Sequence, residues 1–219
     1  MLTLLKSFSS LLLASACPLC GRSSQQVFCF DCERQIRHAQ FDRPAAAWHS
    51  PLPIFAWGSY EGALKRAIAA LKYSGQPQTA QPLGLWLGAA WRQAKLLPAC
   101  PVVPIPLHAD KQQQRGYNQA ELLAEAFCQA TRLPIAPAGL RRIRATEAQF
   151  GLSASDRAQN LADAFAVSPA LIRQRPQGVL LLDDIYTTGA TVKSAAGCLQ
   201  QQGIPVRGVI ALSRAAQSG

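Results

Sequence analysis

Apolar positions along this chain change period several times, and each change marks an element. Leu64, Ile68 and Leu71 recur at helical spacing just after Tyr60-Glu61-Gly62. Lys65, Arg66 and Lys72 are read as lying off that stripe, which predicts a helix with a solvated basic face. Leu83, Leu87, Ala90 and Trp91 predict a second helix over about 83–95, its aromatic positions facing a core rather than a nucleic acid. Leu122, Ala126 and Ala130, with Leu123 and Phe127 beside them, predict a third over about 118–130. Around these helices lie short apolar runs at 54–58, 102–105 and 179–182, and a last strand is expected over 207–212. Such runs suit strands buried on both faces, and strands alternating with helices predict an α/β fold with a parallel sheet flanked by helices. Pro104 and Pro106 break the second run, so that strand is expected to end in a turn.

The N-terminal third follows a different pattern. Residues 3–14 place leucines on one side of an expected amphipathic helix. A secretory signal is the other reading of that stretch, but Ser7, Ser9 and Ser10 interrupt its apolar run and lipidation at Cys17 would strand three further thiols. No other segment reads as a membrane span, and a cytoplasmic protein is expected. Residues 38–53 are rich in Ala and Pro with no clear period, which suggests a linker and a division into 1–50 and 51–219.

Cys17, Cys20, Cys29 and Cys32 form two C-x-x-C pairs with eight residues between them. Two residues between thiolates let both sulfurs reach one ion from a tight turn, and two such turns complete a tetrahedral S4 shell. This predicts a small structural zinc module ahead of the sheet, in preference to disulfides. Cys100, Cys128 and Cys198 fall in or beside apolar segments and are expected in the core.

The densest chemistry lies in Val179-Leu180-Leu181-Leu182-Asp183-Asp184-Ile185-Tyr186-Thr187-Thr188-Gly189-Ala190-Thr191. A buried strand is expected to end at the two acids, and a helix is expected over about 190–201. Ligand sites in parallel sheets open beyond the carboxyl ends of the strands. There, Thr187, Thr188, Gly189, Ala190 and Thr191 offer hydroxyls and backbone N–H groups at a helix start, a cradle for phosphate. Asp183 and Asp184 suit sugar hydroxyls or a hydrated magnesium ion, and two adjacent carboxylates are costly unless something satisfies them. No Gly-x-x-x-x-Gly-Lys-Ser/Thr loop occurs. The 22 Lys and Arg against 12 Asp and Glu, a formal charge of +10, agree with an anionic substrate or partner.

This run resembles the phosphoribosyl-diphosphate (PRPP) signature of type I phosphoribosyltransferases. Pro104-Ile105-Pro106-Leu107, Arg115-Gly116-Tyr117-Asn118-Gln119-Ala120, the segment from Leu140 to Gln149, and Asp156-Arg157-Ala158-Gln159-Asn160-Leu161 follow in order behind the cysteines. Together they resemble the ComF family, including the GntX-like proteins. The resemblance implies that Asp183 and Asp184 bind the ribose diol, with magnesium, and that the Thr-Thr-Gly turn holds the 5′-phosphate. It also implies a diphosphate-binding turn at Leu107, His108 and Ala109, with Lys111 and Arg115 as nearby cations. A flexible hood over 141–165, with Arg141, Arg142, Arg144, Thr146, Gln149, Arg157 and Asn160, is expected to close over substrate. The activity so implied is phosphoribosyl transfer to an unidentified acceptor. The alternative is a competence accessory that handles incoming single-stranded DNA, with the PRPP pocket regulatory or vestigial.

Overall fold

The computed structural model describes residues 15–49, 51–96, 100–144 and 164–215. The expected helix over 3–14 lies outside them, as do Thr146, Gln149, Arg157 and Asn160 of the expected hood.

The chain begins with a two-stranded antiparallel ribbon, β1 (Ser15–Ala16) and β2 (Ser23–Ser24), followed by α1 (Phe30–Arg37). Residues 38–49 then run beside β3 (Ile54–Ser59) instead of hanging as a free tether. Phe41 N–H donates to Trp57 O at 2.9 Å and Ala56 N–H to Pro44 O at 3.0 Å.

After β3 come α2 (Gly62–Tyr73) and, past a 3-10 turn, α3 (Ala80–Gln93). Leu64, Ile68, Leu71, Leu83 and Leu87 are fully buried and Ala90 and Trp91 nearly so, as their spacing predicts. A short strand β4 (Val102–Pro104), a short helix α4 (Ala109–Arg115) and α5 (Gln119–Thr131) follow. In α5 the buried stripe is Ala120, Leu123, Ala124 and Phe127, whereas Leu122 and Ala130 sit at its border. Asn118 caps α5 through Ala120 N–H and donates to Ile105 O at 3.1 Å, fixing the end of β4.

The pair β5 (Leu140–Arg142) and β6 (Phe165–Val167) is antiparallel and leads into α6 (Pro169–Gln174). Last come β7 (Val179–Tyr186), α7 (Ala190–Gln201) and β8 (Val206–Arg214). Strands β3, β8, β7 and β4 form one parallel sheet in that order. Pro104 is tolerated because β4 is its edge strand.

Alternate residues of the sheet enter two cores. Val102, Leu180, Leu182, Ile210 and Leu212 face α2, α3 and α5, together with Cys17, Phe28, Cys32 and Ile36 of the N-terminal module. Val103, Val179, Leu181, Val209 and Ala211 face α7, α6 and the β5–β6 pair. Burying one such leucine contributes about 2 kcal/mol, so the four apolar residues opening β7 anchor the sheet from both sides. Contrary to the sequence expectation, the strand does not stop at the acids. It runs on to Tyr186, with Asp183 opposite Ala211 and Tyr186 opposite Arg214 of β8, because the backbone ladder continues whatever the side chains.

Candidate functional site

Two constellations stand out. In the first, Gly21 N–H donates to Cys17 O and Cys17 N–H to Arg22 O, both at 2.8 Å, so the chain reverses at a knuckle. Gly21 takes φ 74, which a side chain would disfavour. Cys29 stands at the start of α1 and Cys32 in its first turn. The four Sγ atoms lie within 4.8 Å of one another, and those of Cys20 and Cys29 are 3.5 Å apart. Bonds of about 2.3 Å in a tetrahedral shell put sulfurs roughly 3.8 Å apart, so this set fits a zinc ion with little movement. The Arg22 N–H beside Cys20 pulls that thiol down to about 6, while burial pushes Cys32 up. An Arg22–Asp31 ion pair at 2.8 Å latches the knuckle to α1. Four thiolates fill the shell and leave no open position for chemistry, which makes such a centre structural.

The second constellation lies at the carboxyl edge of the sheet, where parallel β4 and β7 deliver their following turns side by side. Ile105 N–H donates to Leu182 O at 2.9 Å, tying the two exits together. The expected diphosphate turn, Leu107 and His108, leads into α4. His108 Nδ1 accepts from Asp110 N–H at 3.4 Å, so its ring is turned onto its own helix. Lys111 is exposed on α4. Arg115 bonds Gln119 and lies over the Tyr73 ring, 5.6 Å from its centroid.

Asp183 and Asp184 extend from the last part of β7. Asp183 Oδ1 accepts from Asp184 N–H at 2.8 Å. Burial, and next the charge of Asp184, push the Asp183 carboxyl well above the usual range; the Asp184 N–H and Lys72 oppose this. Asp184 is only 3% exposed, and its Oδ2 lies 2.7 Å from Lys72 Nζ. Lys72 therefore does not belong to the solvated basic face expected from sequence; its side chain is 16% exposed and turned into the site. It falls four residues after Ile68 and eight after Leu64, so it continues their buried stripe, and that spacing was the available signal. The Tyr117 hydroxyl donates to Leu71 O at 2.5 Å and holds this end of α2 in place. Arg142 stands near Asp183 from the other core, over the Phe165 ring, and burial lowers its pKa against the favourable charge of Asp183.

Beyond Tyr186, Thr187 and Thr188 are exposed and Gly189 is buried. Gly189 has φ 76, and a Cβ there would strike the Tyr186 hydroxyl, so the turn closes over that ring only with glycine. Thr188 Oγ1 accepts from Ala190 N–H at 3.4 Å and Lys193 N–H donates to Gly189 O at 2.9 Å, which leaves the N–H groups of Thr191 and Val192 outside the helical ladder at the start of α7. Cys100, Cys128 and Cys198 are buried away from both constellations, and burial raises all three thiols.

Fold and sites define an α/β protein with a four-strand parallel sheet, an N-terminal four-cysteine centre and an acid-rich edge facing a Thr-Thr-Gly turn. Competence protein F of Haemophilus influenzae is 30% identical over 208 residues, covering 90% of this chain and 85% of the relative. Competence protein ComFC of Bacillus subtilis is 27% identical, covering 85% and 72% respectively, and the DNA utilization protein YhgH of Escherichia coli is 26% identical, covering 85% of each. No protein-family model matches the chain. The chain belongs to the ComF family, on its identity and coverage with Competence protein F.

Proposed function

We propose that the carboxyl-edge site binds PRPP or a related phosphorylated ribose, and that the protein transfers the phosphoribosyl group to an acceptor. The observation that carries this is the pairing of two carboxylates with an open Thr-Thr-Gly turn at one end of β7. On this reading residues 51–219 form the phosphoribosyltransferase-like domain and residues 1–50 carry the zinc module. Asp183 and Asp184 accept the ribose hydroxyls, and the Lys72 ammonium, 2.7 Å from Asp184 Oδ2, holds that side chain in place. Thr187, Thr188, Ala190 and Thr191 hold the 5′-phosphate by hydroxyls and backbone N–H groups, and Gly189 lets it approach. Leu107, His108, Lys111 and Arg115 flank the leaving diphosphate. The donor set fits a magnesium ion shared with the ligand's own oxygens, since Lys72 already neutralises one carboxylate. Such an ion would neutralise the diphosphate as the bond to C1′ lengthens. Anchoring both ends of the ligand leaves the protein little else to do but exclude water.

Calorimetric titration of PRPP with magnesium tests this. Saturable binding that falls at least 100-fold in Asp183→Asn/Asp184→Asn, with the fold retained by circular dichroism, is the expected result. No binding by the unaltered protein would overturn it.

A second reading is favoured by the names of the relatives and by the +10 charge. Here the protein is a cytoplasmic accessory of the competence machinery that handles incoming single-stranded DNA, and the PRPP pocket regulates it. A salt-dependent affinity for single strands, with no diphosphate release from PRPP across a panel of bases, would favour this reading over the first.

A further inference from the structure

A second concave surface lies beside β3, at the sheet edge opposite β4. It consists of two adjoining cavities of about 480 and 440 Å³, with Ala46, Ala47, Ile54 and Arg214 lining both. His49, Tyr186 and Lys193 stand in the first beside Leu52; Asp42 and Arg43 stand in the second beside Phe41. The edge of β3 is not free to take another strand, because Ile54 N–H donates to Ala47 O at 2.9 Å and Ala56 N–H to Pro44 O at 3.0 Å. A β-strand partner is thereby excluded, and side chains must do the recognising.

Most of the lining is apolar, but its charged members are cations with one exception. Arg43, Lys193 and Arg214 line the groove with His49, against the single acid Asp42. Among the described residues no ion pair reaches Arg43, Lys193 or Arg214. Arg214 lies instead over the Tyr186 ring, 5.9 Å from its centroid. Lys193 and Arg214 line the first cavity and Arg43 and Arg214 the second, so the cations run from one joined cavity into the next. Such a row suits an extended polyanion, in the way a basic groove follows the backbone of a single strand. Tyr186 is also the residue whose hydroxyl lies beneath Gly189, so the groove and the Thr-Thr-Gly turn share a wall.

We infer that this groove is where the protein holds single-stranded nucleic acid, with Arg43, Lys193 and Arg214 on successive phosphates. This rests on the DNA-handling reading above and gives it a location separate from the acid pair.

The test is fluorescence anisotropy of a labelled 20-nucleotide oligothymidylate with the full chain, from 25 to 300 mM salt. The variants are Arg43→Gln/Lys193→Gln/Arg214→Gln and a control with the same charge change at exposed positions elsewhere, Arg34→Gln/Arg92→Gln/Arg173→Gln. Three lost phosphate contacts should reduce the slope of log K against log salt by about 2 and weaken binding about 100-fold near 0.1 M salt. The control should keep the slope of the unaltered protein, and thermal melts should show all three proteins folded. No binding by the unaltered protein would overturn both the DNA-handling reading and this inference. Binding with a slope unchanged in the groove variant, or lowered equally in the control, would overturn the inference alone. So would sedimentation showing that the groove variant loses self-association while keeping its affinity for the oligonucleotide, since the groove would then be a contact between copies.

Discussion

The cysteine centre and the acid pair solve the same problem, keeping groups of like charge together, by opposite routes. At the cysteine centre one short segment supplies all four donors, and they already stand within 4.8 Å of one another. At the acid pair the charges come from one strand, but what steadies them comes from elsewhere: Lys72 on α2 and Arg142 on β5, one on each side of the sheet. A closed shell of identical ligands tolerates no missing member. An assembled edge tolerates changes in its parts but loses its tuning. The first suits an ion held permanently, and on the reading proposed above the second suits a ligand that comes and goes.

The largest expected effect breaks the closed shell. Cys32→Ser, or chelation of the metal, should remove one zinc per chain by elemental analysis. Structural zinc is worth on the order of 10 kcal/mol in small metal-dependent folds. Because Cys17, Phe28, Cys32 and Ile36 lie in the same core as Trp57 and Leu64, the loss should lower the melting temperature of the whole chain. An unchanged main transition would show that the module folds apart from the sheet.

Next is the assembled edge. Lys72→Met leaves Asp184 buried without its cation, which costs about 3–5 kcal/mol in chemical denaturation. Lys72→Met/Asp184→Leu should recover most of that stability, because removing both charges removes the desolvation problem. The double variant should still bind no PRPP. Recovery of both stability and binding would show that neither residue serves the ligand.

The two centres also differ in how far sequence revealed them. C-x-x-C spacing is a local property, so the gathering of Cys17, Cys20, Cys29 and Cys32 was legible from sequence, whereas the helix α1 that carries Cys32 was not. The strands and helices that carry Leu64, Leu83, Leu123 and Leu181 were legible too, because burial on a face imposes a period. The continuation of β7 through Asp183 and Asp184 was not legible, since strand pairing with β8 is a backbone contact that leaves no mark on side chains. Nor was the meeting of Lys72 with Asp184, which depends on how α2 lies across the sheet. A charged residue on a buried stripe reads as surface until its partner is known.

A smaller effect sharpens the comparison within the open edge. Gly189→Ala places a side chain at φ 76 and against the Tyr186 hydroxyl, at a cost of about 1–2 kcal/mol in stability. Gly21→Ala is the matching change at the cysteine knuckle, where φ is 74 and no atom lies within 4 Å of a new Cβ. It should cost the backbone strain alone, so comparison of the two melts isolates the contact with Tyr186.

The smallest effect has the opposite sign. Burial and the neighbouring Asp184 raise the Asp183 carboxyl in the folded state, so between its unfolded and folded values the native protein binds more protons than the unfolded chain. Stability from this group is therefore present at acid pH and is lost as pH rises through the folded value. Asp183→Asn keeps the shape, removes that charge and should melt higher than the unaltered protein at pH 7, with the gap closing as pH falls towards 4. Loss of sugar-phosphate affinity in the same variant would mark Asp183 as a residue whose charge costs the fold and serves the ligand. Higher stability with affinity intact would leave the diol to Asp184 alone, and a lower melting temperature at pH 7 would mean that Arg142 and Lys72 more than offset the burial of the carboxylate.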